Sequence, residues 1–256
     1  MRVVSVKEEQ KVNGFVKKRL RLDRKMCTIR LSYYESRGEF VMKKLSAVAC
    51  AIGLLSFASF YGNLPAPYDT VDLLPFSPGG WYINGPSMEW LIRRGNVKVI
   101  VEVGSWIGLS TRHLAKTIPE DGVVYAVDHW LGCTELPGYD NTNLYRQFLS
   151  NVIHEQLTDK IIPVKMTSLE ASQTLKVKPD LVYIDASHDF TNVMLDLILW
   201  YPFVKGHGLL CGDDYMWNDD PSKGGGPVKR AVDAFARENN LSVRFDGKWM
   251  WYLEEK

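Results

Sequence analysis

Residues 97–110 read VKVIVEVGSWIGLS. A run of β-branched residues carries Glu102 near its end, Gly104 and Gly108 follow, and a helical pattern opens at Leu109. This is a strand feeding a tight turn into a helix, and in an open α/β sheet a ligand sits at the carboxyl end of such a strand. Only a residue without Cβ lets the backbone approach a ligand closely or adopt positive φ, which is why glycine occupies such turns. The dinucleotide fingerprint is G-x-G-x-x-G, aimed at a pyrophosphate. Here the spacing is Gly104-x-x-x-Gly108-x-Ser110, and an acid precedes it. An acid before the turn suits a cationic or hydroxyl-bearing ligand better than a phosphate.

Outward from this stretch, strand and helix alternate. Strands are expected at 97–103, 122–128, 161–165, 181–185 and 208–212, with helices at 109–118, 144–157 and 169–175 between them. Phe190, Val193, Met194, Leu197, Ile198 and Tyr201 follow a helical period, and Asp189 is placed to cap that helix. Pro227 starts a last helix through Val228, Ala231, Val232, Phe235 and Ala236. Segments 242–245 and 249–253, joined across Asp246-Gly247, read as a closing antiparallel hairpin. The alternation predicts an α/β fold: a doubly wound, mainly parallel sheet with helices on both faces.

The 256 residues carry a net charge of +1, but unevenly. Residues 1–44 hold thirteen Lys/Arg against five Asp/Glu, leaving eighteen against twenty-five for the remainder. The domain organisation expected is a basic arm over 1–41, disordered or untranslated, an apolar segment over 42–61, an irregular lead-in over 62–95, and the α/β domain over 96–256. The arm could meet nucleic acid or an anionic membrane. The acidic balance of the α/β domain argues against nucleic acid as its substrate. Met42-Lys43-Lys44 followed by an apolar run and small residues resembles a secretory signal, so the true start is either Met1 or Met42. If the arm is made, Leu45–Tyr61 is at the short limit for a membrane span. A membrane-anchored or exported location follows, with a core helix and a cytoplasmic protein as the alternative. None of Cys27, Cys50, Cys133 and Cys211 forms a C-x-x-C pair, so no zinc ribbon or redox motif is indicated. In the lead-in, helix 86–94 is expected, with Trp81, Tyr82 and Trp90 as packing residues.

Several expected strand ends present acids: Glu102, Asp128, Asp185 and the pair Asp213–Asp214. In a doubly wound sheet these point into one crevice, and a set of carboxylates is hard to explain by packing, because burying charge is costly without a partner. Asp128 lies near the offset at which an acid accepts hydrogen bonds from ribose hydroxyls.

The motifs EVGSWIGLS, AVDHW, DLVYIDASHDF and VKGHGLLCGDDY, in that order, resemble the class I S-adenosylmethionine-dependent methyltransferases. Within them the chain is most similar to the small-molecule O-methyltransferase branch that includes catechol and bacterial sugar O-methyltransferases, over roughly residues 80–254. The resemblance implies a Rossmann-like seven-stranded sheet whose last strand is antiparallel. It implies that Glu102, Gly104, Ser105, Gly108 and Ser110 surround the methionyl part of S-adenosylmethionine, that Asp128 holds the ribose, and that Thr167 and Ser168 lie on the adenine side. Asp185 falls among the cofactor contacts, and His129 flanks the adenine. In the metal-dependent branch an acid after strand four and two residues after strand five bind a divalent ion. Asp185, Asp213 and Asp214 would then hold Mg²⁺, a hard cation that suits carboxylates.

His188, three residues after Asp185, stands where the catechol enzymes carry a base. It is the candidate for removing the acceptor's proton beside Asp185. His113, His154 and His207 read as surface or structural. The glycine-rich stretch 215–227 is a candidate lid, and Tyr139, Trp106, Trp130, Met216 and Trp217 could wall an acceptor site. The expected activity is methyl transfer to a hydroxyl of a small molecule or sugar. The alternatives are a metal-independent N-methyltransferase and a non-catalytic or exported small-ligand-binding protein on the same fold.

Overall fold

Strand β1 (Val99–Val103) lies inside the sheet, with two strands on one side of it and four on the other. The computed structural model describes residues 64–133 and 141–256 in full, and before them only strands 11–12, 15–16, 22–23, 28–34 and 40–44. The chain divides into two units, Met1–Leu64 and Pro65–Lys256. In the first, 11–12 pairs with 15–16, and 22–23, 28–34 and 40–44 form a three-stranded antiparallel sheet. The apolar segment 45–61 lies outside the described residues. No helix among the described residues is long and apolar enough to cross a membrane.

In the second unit, helix α1 (Gly85–Gly95) precedes β1, and then follow α2 (Leu109–Thr117), β2 (Val123–Asp128), α3 (Leu144–His154), β3 (Ile161–Lys165) and α4 (Ser168–Thr174). β4 (Leu181–Ile184), α5 (Phe190–Val204), β5 (Leu209–Gly212), α6 (Pro227–Glu238), β6 (Leu241–Phe245) and β7 (Trp251–Glu255) complete it. The sheet runs β3–β2–β1–β4–β5–β7–β6, parallel throughout except that β7 is antiparallel to both neighbours. The expected doubly wound sheet and closing hairpin are therefore both present. Pro163 is tolerated because β3 is an edge strand and need not donate outward.

Alternation along β1 divides its side chains between two layers. Val101 and Val103 join Val182, Ile184, Leu197, Trp200, Val232 and Phe235 under α5 and α6. Glu102 faces the other way and bonds Thr111 of α2, so a carboxylate lies between sheet and helix with no exposed surface. The chain runs to β2 on one side of β1 and to β4 on the other. The carboxyl ends of β1 and β4 thus bound the switch-point crevice where ligands bind in such sheets.

Most boundaries fall within one residue or so of the sequence reading, helix α3 stops at His154 rather than 157, and the starts of β1 and β7 shift for local reasons. β1 starts at Val99 because Asn96 turns left-handed (φ 47°) and Val97 N–H closes back on the Ile92 carbonyl, ending α1. β7 starts at Trp251 because Asp246 Oδ1 accepts from the N–H groups of Lys248, Trp249 and Met250, which widens the turn expected at Asp246-Gly247.

Candidate active site

The β1–α2 turn is built by crowding. Gly104 has φ +95°, donates to the Val127 carbonyl at 2.9 Å, and lies so near β4 that a Cβ would sit 2.0 Å from the Asp185 carbonyl oxygen. Gly108 has φ +82°, and a Cβ there would meet the Phe148 ring at 2.9 Å. Trp106 between them is left-handed too, at φ 47°. The turn is anchored from within by Glu102: Oε2 accepts from Ser105 Oγ at 2.7 Å and from the Thr111 hydroxyl, while Oε1 is buried without a hydrogen-bond partner. Burial raises the Glu102 carboxyl above its ordinary range, and the surrounding Ser110, Thr111 and Ser105 hydroxyls oppose the rise. Ser110 makes no hydrogen bond of good geometry to Oε1, and in the first turn of α2 it is buried.

Asp128 ends β2 and holds the same turn from the far side. Its Oδ2 accepts from Trp106 N–H at 2.8 Å, its Oδ1 from Trp130 N–H at 2.6 Å, and Trp130 Nε1 donates to the Trp106 carbonyl at 2.6 Å. Burial raises this carboxyl as well, against the pull of those two N–H groups. His129 is half-exposed and accepts from Leu131 N–H at 2.9 Å. Thr167 and Ser168 follow β3, but both side chains are engaged. Thr167 forms a capping box with Glu170, and Ser168 donates to Asp196 and accepts from Trp200 Nε1 at 2.8 Å.

A second group of charges stands across Gly104, at the ends of β4 and β5. Ligand atoms of Asp185, His188 and Asp214 lie within 4.8 Å of one another. His188 Nε2 is 2.8 Å from Asp214 Oδ2, and the His188 ring lies against Trp217 with centroids 4.6 Å apart. Asp214 reaches back in this way because it is left-handed (φ 60°). Burial, then Asp213, Asp214 and Glu102, push the Asp185 carboxyl well above its ordinary range, and His188 opposes them.

Asp213 departs from the expected three-carboxylate set. Its Oδ1 accepts from Asp214 N–H at 2.6 Å, and its Oδ2 faces the Tyr183 hydroxyl at 3.4 Å, as does Asp185 Oδ2. Buried Asn84 donates to that hydroxyl at 3.3 Å. Asn84 and Tyr183 were not singled out from sequence. Tyr183 lies two residues before Asp185, hence on the same strand face, and that period was the available signal.

Of the expected walls, Trp130 is buried against Tyr145 and Phe148, and Tyr139 lies outside the described residues. Trp81, expected to pack, is 67% exposed. His154 and His207 meet backbone carbonyls, as structural histidines do, and His113 lies between Tyr82 and Glu89. Cys211 is buried in β5 as a thiol.

A sheet of order 3–2–1–4–5–7–6, an acid before a glycine turn and a second acid ending β2 define the class I S-adenosylmethionine-dependent methyltransferase fold. Residues 101–215 match a family model described as a methyltransferase domain. Among solved structures, the chain is similar to a protein from Staphylococcus aureus provisionally assigned as a caffeoyl-CoA O-methyltransferase: TM-score 0.56, 16% identity, over 80% of this chain and 91% of that one. It is similar to cofactor-bound Rv0187 from MTB, with TM-score 0.54 and 17% identity over 81% and 91% of the two chains. It is also similar to the O-methyltransferase TomG of Streptomyces achromogenes, solved with S-adenosylmethionine, with TM-score 0.52 and 15% identity over 79% and 89%. No curated protein matches at the sequence level. The chain therefore has the fold of the class I S-adenosylmethionine-dependent methyltransferases, and its residues 101–215 carry the match to a methyltransferase domain.

Proposed function

We propose that the protein transfers the methyl group of S-adenosylmethionine to a hydroxyl oxygen of a small molecule or sugar. The observation that carries this reading is the nearness of two polar groups: the turn held by Glu102 and Asp128, and the Asp185–His188–Asp214 cluster, separated only by Gly104.

The residues present fit the cofactor. Glu102 Oε1 is a buried acceptor lacking a donor, which the cofactor's ammonium would supply. Ser105 and Ser110 line that turn, Asp128 receives the ribose hydroxyls, and His129 flanks the adenine. The engaged side chains of Thr167 and Ser168 leave only their backbone groups for the adenine side. When bound, S-adenosylmethionine supplies an electrophilic methyl on a sulfonium, and S-adenosylhomocysteine is the product. Asp185, beside Gly104, lies between the cofactor turn and the acceptor.

The chain's part in the reaction is to align the acceptor oxygen with that methyl and to take its proton. Alignment supplies much of the acceleration, because the methyl group is already activated. The C–O bond forms as the C–S bond breaks with its electron pair going to sulfur, and the hydroxyl proton leaves toward the cluster. A divalent ion fits these donors, with Asp185 and Asp214 as anionic ligands, and when bound it would lower the pKa of the acceptor hydroxyl. The 2.8 Å contact between His188 and Asp214 favours a second reading for the ion-free protein, in which His188 takes the proton and Asp214 stabilises the imidazolium.

Calorimetric titration of the full chain with S-adenosylmethionine tests the first step. Release of S-adenosylhomocysteine with a panel of catechols, sugars and amines, with and without EDTA, tests the second. Turnover confined to amines would replace the O-methyltransferase reading by N-methylation, and absence of cofactor binding would leave a non-catalytic ligand-binding protein. Segment 45–61 would bring the protein to a membrane or an export route, which fractionation of cells expressing the full chain decides.

A further inference from the structure

Resting on the methyltransferase reading above, the geometry points to a mixed nitrogen–oxygen metal site formed by Asp185, His188 and Asp214, which selects a first-row transition ion over Mg²⁺. His188 takes the place that the sequence suggests for Asp213.

Asp213 is withheld from the site. Its oxygens are not in the group that converges within 4.8 Å: Oδ1 accepts from Asp214 N–H at 2.6 Å, and Oδ2 shares the Tyr183 hydroxyl with Asp185. Its backbone is fixed as well: the carbonyl accepts from Trp251 Nε1 at 2.9 Å, and the N–H donates to the Ile184 carbonyl at 3.1 Å. The Tyr183 hydroxyl is in turn held by Asn84, from another part of the chain. Asn84 stands at the N-cap of α1 yet makes no side-chain cap to its own helix. An asparagine cap contributes on the order of 1 kcal/mol to a helix. Asn84 forgoes that contribution and spends its amide on the hydroxyl that Asp185 and Asp213 share.

His188 is brought in by the opposite means. The turn after β4 places it over Asp185, left-handed Asp214 swings its carboxylate to meet it, and the Trp217 ring covers its face. Trp217 N–H donates to the Asp214 carbonyl at 2.8 Å, so one short loop fixes the ligand and its cover together. Two carboxylates and a neutral imidazole carry two negative charges, matching a divalent ion. Carboxylate and water oxygens suit Mg²⁺, whereas an imidazole nitrogen shifts preference toward the later first-row ions.

The test uses the full-length protein with S-adenosylhomocysteine bound, and Co²⁺ and Mg²⁺ separately as probes. Affinities come from calorimetry, and the visible absorption of Co²⁺ reports nitrogen ligation directly. The expected result is Co²⁺ binding on the order of tenfold or more tighter than Mg²⁺. In His188→Ala and His188→Gln the two affinities should converge to within about twofold, whereas in Asp213→Asn both should fall together and keep their ratio. Equal affinities in the unaltered protein, selectivity lost in Asp213→Asn but kept in the His188 variants, or no ion binding at all would each overturn the proposal. The last would leave the His188–Asp214 pair as the proton acceptor. Titration of S-adenosylhomocysteine into each variant reports whether the fold is intact. Its failure to bind the unaltered protein would sink the methyltransferase reading, while the ion affinities still decided the ligand set.

Discussion

A Cβ on Gly104 would sit 2.0 Å from the Asp185 carbonyl oxygen, at a φ of +95° that side chains rarely adopt. Gly104→Ala should therefore lower the melting temperature by several degrees, since left-handed strain alone costs about 1–3 kcal/mol, and should abolish cofactor binding. A variant that melts and binds normally would show that β1 and β4 can part at no cost. Asp128 and Asp214 separate cofactor binding from chemistry. Asp128→Ala removes a charged acceptor whose hydrogen bonds are worth about 1.5–3 kcal/mol each, so S-adenosylmethionine affinity should fall on the order of tenfold or more. Asp214→Ala should spare that affinity and lose turnover, and equal losses in the two variants would contradict the assigned roles. Glu102, Asp128 and Asp185 were legible because an acid that interrupts or ends a β-branched run stands out. The division of labour between Asp213 and Asp214 was not, because it depends on the left-handed turn at Asp214. Asn84 was concealed by its position, since asparagine ahead of a proline-bearing helix start reads as an ordinary cap.

At the scale of elements, α5 carries two aspartates with opposite behaviour. Asp189 caps the helix, its Oδ1 accepting from Thr191 and Asn192 N–H groups at 3.0 Å. Asp189→Ala should cost about 1 kcal/mol in a denaturant titration. The Ser187 hydroxyl, then Asn192 and the Thr191 N–H, hold the Asp189 carboxyl below its ordinary range, so the cap's contribution is present near neutrality and fades as pH falls through that lowered value. Asp196, two turns on, is buried, and burial pushes its carboxyl up to about 6 despite the Ser168 hydroxyl it accepts from. The sign is reversed: the folded protein favours the protonated acid, so stability is greatest at low pH and declines as pH rises from about 4 toward 6. A shift of about two pH units corresponds to roughly 3 kcal/mol. Asp196→Asn keeps an acceptor for Ser168 and removes the charge, so it should stabilise the protein at pH 8 and flatten the profile between 4 and 6. An unchanged profile would mean that Asp196 is solvated. Asp189 was legible from its place before the hydrophobic period. Asp196 was not, because it lies off the expected apolar face: the face actually buried, Val193, Asp196, Leu197, Trp200 and Val204, is rotated from it, leaving Phe190 and Ile198 exposed.

The unit Pro65–Lys256 as a whole has the methyltransferase fold, and under the proposed function cofactor binding should be visible as a property of all of it. At a free concentration of a hundred times Kd, S-adenosylmethionine should add about 2.7 kcal/mol to its stability. That is a rise of roughly 5–10 °C in melting temperature for a unit of this size. A melting curve unmoved by saturating cofactor would argue that the unbound turn is not the binding state. Sheet order and the closing hairpin were legible from alternation and from the family resemblance. The covering of the acid rim by the lead-in was not, because it depends on a contact between residues 84 and 183 that no local pattern encodes.

β7 is made after the other six strands of its sheet, yet it lies between β5 and β6. While the ribosome is still translating, the outer edge of β5 has no neighbour, and the apolar row Leu209, Leu210 and Cys211 is bordered by unpaired backbone. A nascent chain halted anywhere before Trp251 therefore carries a sticky seam beside the acids at the ends of β4 and β5, and arrested or nonsense-shortened products should be found in aggregates or bound to chaperones rather than as weakened proteins.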